Sequence, residues 1–86
     1  MTSFQLTFTN AVSSLQLDAE SGALTGSTVT LTAYDASNTV VATDTQNGDT
    51  VHTLSVSSGT NNIKYFTVST NIDELSFSNV VWGCAT

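Results

Sequence analysis

The stretch Thr28-Val29-Thr30-Leu31-Thr32-Ala33-Tyr34-Asp35-Ala36-Ser37-Asn38-Thr39-Val40-Val41-Ala42-Thr43-Asp44 decides the fold. Val29, Leu31 and Ala33 alternate with Thr28, Thr30, Thr32 and Tyr34. A period of two places the first set on a buried face and the second on a solvated one, so the segment is a β-strand with an outward threonine row. Threonine is β-branched and suits a pleated surface. Asp35-Ala36-Ser37-Asn38 has the composition of a type I turn, with aspartate at its first position. Val40-Val41-Ala42 opens a returning strand, so residues 28–44 predict an antiparallel hairpin.

The same period runs outward in both directions. Toward the N-terminus, Phe4, Leu6 and Phe8 alternate with Gln5 and Thr7 and predict a strand over residues 3–9, broken at Asn10-Ala11. Leu15 and Leu17 alternate next; Val12 is out of phase with them, which places a bulge at Ser13-Ser14. Asp18 to Thr28, with Gly22 and Gly26, reads as a loop. Toward the C-terminus, Gln46-Asn47-Gly48-Asp49 is a turn, His52, Leu54 and Val56 share a face, and Ser57 to Asn61 closes that strand. Ile63, Phe66 and Val68 follow with a change of phase between the first two. In the last strand Asp73, Leu75 and Phe77 share one face, and Glu74, Ser76 and Ser78 the other. The apolar cluster Val80-Val81-Trp82-Gly83-Cys84 ends the chain as a short tail over residues 80–86. Seven or eight short strands at a spacing of about ten residues predict an all-β antiparallel β-sandwich of jelly-roll type, in one domain over residues 1–86.

Composition limits the partners. The 86 residues carry a net charge of −6, and Lys64 is the single basic side chain. Such a chain cannot neutralise a row of phosphates or hold an anionic membrane surface, which excludes nucleic acid. No apolar run approaches the roughly 18 residues of a spanning helix, so no membrane insertion is expected. One cysteine forbids an internal disulfide and a cysteine-cluster zinc site. Charged residues make up only 9%, while hydrophobic residues make up 40%, evenly spread. The polar remainder is dominated by 16 Thr, 12 Ser and 7 Asn, a composition suited to a secreted β-domain and not to a helical one.

The hairpin phrase resembles one from the β-sandwich modules of secreted bacterial exoproteins of the PEP-CTERM type. Val29 to Asn38, running into Val40-Val41-Ala42-Thr43-Asp44-Thr45, is similar to their central hairpin. Phe4 to Phe8 with Val12-Ser13-Ser14-Leu15 resembles their opening strands, Thr53-Leu54-Ser55-Val56 their middle strand, and Ile72-Asp73-Glu74-Leu75-Ser76-Phe77 their closing strand. The likeness covers about residues 4–79. It departs at Ala19-Glu20-Ser21-Gly22, where the family carries an acidic, glycine-rich loop, and at Asn38, where it carries glycine. These modules are in turn similar to jelly-roll, galactose-binding-like carbohydrate modules, and the resemblance implies a secreted or cell-surface, non-catalytic role.

The candidate site residues follow from residue type and position. Tyr34, Asp35 and Asn38 meet at one end of the hairpin, and Tyr65 faces outward opposite Phe66. Sugars stack on exposed aromatic rings and bond to Asn and Asp, so Tyr34, Asp35, Asn38, Tyr65 and Trp82 are the candidate ligand contacts. The alternatives are that Tyr34 covers the sheet and Trp82 seals the bottom of the sandwich. The phenylalanines read as core. Asp73 has the parity of Leu75 and Phe77, and an inward carboxylate needs a partner. With lysine almost absent, Asp18, Glu20 and Asp73 are the candidate ligands of a structural Ca²⁺; the alternative is that Asp73 caps a turn. His52 is the only histidine, and no G-x-S-x-G elbow accompanies it, so no enzyme is expected. The expected function is therefore a non-catalytic module that binds an extracellular glycan. The second expectation is a self-associating structural module: an adhesin, surface-layer or filament subunit. Without proline and with few charges its edge strands lack the usual guards, and Val80-Val81-Trp82 can dock on a neighbour, which makes a homo-oligomer the alternative partner.

Overall fold

The hairpin forms and lies inside a larger sheet. In the computed structural model, which describes residues 2–21, 26–71 and 75–84, β3 (Thr28–Tyr34) pairs antiparallel with β4 (Val40–Asn47). Val29, Leu31 and Ala33 are fully buried, and the threonines between them are half-buried, as the alternation requires. The turn is built by Asp35. The Asn38 amide donates to the Asp35 carbonyl at 3.1 Å, and the Asp35 carboxylate accepts from the Ser37 and Thr39 amides at 2.8 and 3.0 Å. Asn38 has φ of 65°, the left-handed conformation that Asn tolerates and that glycine usually supplies.

The remaining strands are β1 (Thr2–Val12), β2 (Ser14–Glu20), β5 (His52–Ser57), β6 (Ile63–Thr70) and β7 (Ser76–Gly83). They form a four-stranded sheet in the order β1-β6-β3-β4 and a three-stranded sheet in the order β5-β2-β7, with every pairing antiparallel. β3, β4 and β5 follow one another around the edge of the sandwich and β6 returns beside β3, which is a Greek-key path. The protein is thus an all-β antiparallel sandwich, with seven strands among the described residues.

Its core is what the two inner faces share. Leu15, Leu17 and Ala19 of β2 and Leu54 and Val56 of β5 meet Val29, Leu31 and Ala33 of β3 and Ile63, Phe66 and Val68 of β6. Each large side chain removed from water in this way contributes about 1.5–3 kcal/mol before the cost of chain ordering is counted. Ile63 and Phe66 both point inward, so the phase changes between them as expected.

Several expectations are corrected. Asp18-Ala19-Glu20 belongs to β2 and not to a loop, because Ala19 continues the buried row of Leu15 and Leu17. β1 does not stop at Asn10; its pairing with β6 lapses between Thr7 and Val12, and the Lys64 ammonium donates to the Thr9 carbonyl at 2.7 Å inside that gap. Ser13 is a corner and not a bulge: its amide donates to the Gly83 carbonyl and its carbonyl accepts from the Ser58 amide, at 2.8 and 2.9 Å. Val80 to Gly83 form the second half of β7 and not a tail. Phe4 is not core, being 50% exposed, although its register with Val68 aims it inward. Trp82 packs on Phe8 at the edge of the sandwich but stays 56% exposed, so it covers that end only in part. Gly22 in the expected loop, and Ile72, Asp73 and Glu74 at the expected start of the last strand, lie outside the described residues.

Candidate functional site

The hairpin end gathers four of the five expected ligand contacts. Tyr34 of β3 stands directly across from Tyr65 of β6 on the outer face of the four-stranded sheet. Their rings stack with centroids 4.6 Å apart and planes 10° apart. The Tyr65 hydroxyl donates to Asn38 Oδ1 at 2.9 Å, and Asp35 Oδ1 is taken by the turn amides. Tyr34, Asp35, Asn38 and Tyr65 therefore form one cluster, in which each ring covers a face of the other and the polar atoms hold the turn. The fifth residue, Trp82, is elsewhere. It sits on β7 at the edge of the other sheet, with its ring 5.5 Å from that of Phe8.

Asp18 and Glu20 share the outer face of β2. Asp18 Oδ1 accepts from the Thr53 hydroxyl at 2.7 Å, and Oδ2 from the Asn79 amide at 2.9 Å. These bonds, that of Asn79 first and that of Thr53 second, hold the carboxyl below the ordinary aspartate value against a smaller opposing effect of burial. Asn79 reaches Asp18 because of a bulge. Gln16 faces Val81 and Asp18 faces Ser78, so Asn79 and Val80 together oppose Leu17, and Asn79 takes φ of 56°. The extra residue also flips the parity of β7, which is why Phe77 and Trp82, opposite the buried Ala19 and Leu15, both face inward.

As a calcium site this is half of one. Ca²⁺ takes six to eight oxygen ligands, whereas Asp18 is met by an N–H donor and a hydroxyl donor. No cluster of three or more His, Cys, Asp or Glu occurs among the described residues, and Asp73 lies outside them. His52 meets the Thr50 hydroxyl at 3.1 Å, a contact between residues two apart in sequence.

The three-stranded sheet offers a surface that sequence reasoning missed. An open groove of about 450 Å³ crosses its outer face, where the outward side chains of its lining are Ser14, Gln16, Ser55, Ser57 and Val81. A smaller depression of about 180 Å³ lies at the Asp18 and Glu20 end, with Ser76 and Ser78 on its other wall. Both sit on the outer face of β2, and Ser14 to Glu20 spans roughly 20 Å at the rise of a strand. The outward parity of Ser14, Gln16, Asp18, Ser55 and Ser57 is readable along each strand. That β5 and β7 flank β2 is a matter of topology, and no single strand states it.

Comparison with known protein families, with curated proteins and with solved structures finds no match to this chain.

Proposed function

We propose that the chain is a non-catalytic carbohydrate-binding module, working in a secreted or cell-surface setting, and that the glycan lies along the outer face of β5-β2-β7. Its support is the chemistry of the larger groove. The walls carry hydroxyl and amide side chains, Ser14, Gln16, Ser55 and Ser57, and no charged one. Such groups both donate and accept, as sugar hydroxyls do. Val81, 59% exposed, gives the apolar contact that the C–H face of a sugar ring needs. The ionised Asp18 stands farther along the track as a strong acceptor. The surplus of acids disfavours an anionic polysaccharide, so the ligand class is a neutral glycan. The resemblance of the hairpin phrase to modules of secreted exoproteins points the same way.

This site differs from the one read in the sequence, and two variants separate them. On a panel of neutral polysaccharides followed by calorimetry, Gln16→Ala should weaken binding by roughly 2–10-fold, the worth of one net hydrogen bond. Tyr34→Ala should leave it unchanged. The reverse result would move the site to the tyrosine cluster, and no retention on any neutral glycan would end the proposal.

A further inference from the structure

On one side of the sandwich both sheets end in an edge strand. Among the described residues, β1 is paired only with β6, and β7 only with β2. The two strands lie over one another, since Phe4 meets Phe77 edge-on at 5.0 Å and Phe8 meets Trp82 at 5.5 Å. Both free edges are therefore presented together. Phe4 and Leu6 are in register with the buried Val68 and Phe66, yet are 50% and 41% exposed, and Trp82 is 56% exposed. These side chains point into the sandwich, and the described residues of the facing strand cover them only in part.

We propose that this β1/β7 side is the contact face of a homodimer, in which a second copy of the chain continues both sheets. The charge distribution selects the occupant. Neither Thr2–Val12 nor Ser76–Gly83 contains a charged side chain, although the chain carries seven acids and one lysine. A basic partner would find no carboxylate along these strands to read. A second copy, repelled elsewhere by its net charge of −6, meets no like charge on them. A two-fold axis normal to the sheets sets β1 antiparallel to its own copy in one layer and β7 antiparallel to its copy in the other. Unpaired backbone groups then meet identical partners, and the assembly closes at two. Phe4, Leu6 and Trp82 become interior.

Sedimentation of the whole chain across a concentration series, with reductant present so that Cys84 cannot link copies covalently, tests this directly. A species of twice the 9.0 kDa chain mass is expected, with Trp82, the only tryptophan, shielded from acrylamide and released on dilution. Leu6→Lys places a charge on the seam and should weaken the dimer at least tenfold while far-UV circular dichroism is retained. Phe4→Lys, at a half-exposed inward position of β1 beside Leu6, gives the same test should Leu6→Lys fail to fold. Thr43→Lys, exposed on β4 at the opposite edge, should leave the dimer intact. A folded wild-type chain that stays monomeric throughout, or a dimer insensitive to both seam variants, overturns the proposal.

Discussion

The two sides of the sandwich are built from the same alternating pattern and end in opposite states. On the β4/β5 side the chain wraps from one sheet to the other, and Asp44 Oδ2 accepts the Ser55 amide of β5 at 2.9 Å. A carboxylate thus occupies an amide of β5 and sets a negative charge where another strand would have to approach. On the β1/β7 side no charged residue stands on either strand, and the inward-facing Phe4, Leu6 and Trp82 are roughly half exposed. Alternation fixes which way a side chain points. Whether it is buried depends on what the opposite layer places across from it and, at an edge, on what stands beside it.

Two leucines in edge strands measure that difference. Leu54 of β5 is 0% exposed and Leu6 of β1 is 41% exposed, and both point inward. Leu54→Ala should cost about 2–5 kcal/mol, as buried leucines do. Leu6→Ala should cost under about 1.5 kcal/mol in urea unfolding at a concentration low enough to keep the chain monomeric, because less area is lost and no cavity forms. Equal losses would show that the β1/β7 side is closed in the single chain.

The closed side can also be broken at its tightest point. Gly48 is buried after β4; its amide donates to the Ser27 carbonyl at 2.9 Å, and its carbonyl accepts from the Ser21 amide at 2.8 Å. A Cβ there would overlap the Ser21 side chain, so Gly48→Ala should cost about 1–3 kcal/mol by overpacking. Ser21 Oγ is buried with no hydrogen-bond partner among the described residues. Ser21→Ala should therefore be neutral or stabilising, and should recover part of the Gly48→Ala loss in the double variant. Thermal melts of the three variants suffice, and additive losses would show that the two residues do not share the space.

The sequence made the strands legible wherever one face is buried. Val29-Leu31-Ala33, Leu54-Val56 and Leu15-Leu17 each declare strand and face at once, and Asp35 with Asn38 declares the turn. It failed where alternation is interrupted or where the facing layer matters. The bulge at Asn79 reverses the parity of Val80-Val81-Trp82, so an apolar half-strand looked like a tail. Phe4 looked like core because its own strand says nothing of the missing neighbour. The tyrosine cluster was legible because the turn brings its residues near in sequence and Tyr65 needed only a face. The groove on β5-β2-β7 was not, because it draws on three strands far apart in the chain.

The smallest effect expected is also the one that separates hydrogen bonding from metal ligation at β2. Asp18 has a folded-state value held below its unfolded one, ordinarily about 3.9, mainly by Asn79 and then by Thr53. A group lowered in this direction contributes stability above its unfolded value and loses it as pH falls through the folded value. The melting temperature should decline below about pH 4, and part of that decline should vanish in Asp18→Asn. Asn79→Gly keeps the left-handed backbone but removes the larger of the two bonds, so it should reproduce most of the same flattening. The group is at the surface, so the change is small and needs a pH series to be seen. Chelation discriminates the two roles at neutral pH. An aspartate satisfied by Thr53 and Asn79 needs no cation, and EDTA should leave the melting temperature where it is. A fall on chelation, restored by Ca²⁺, would return Asp18, Glu20 and Asp73 to the role of ligand set.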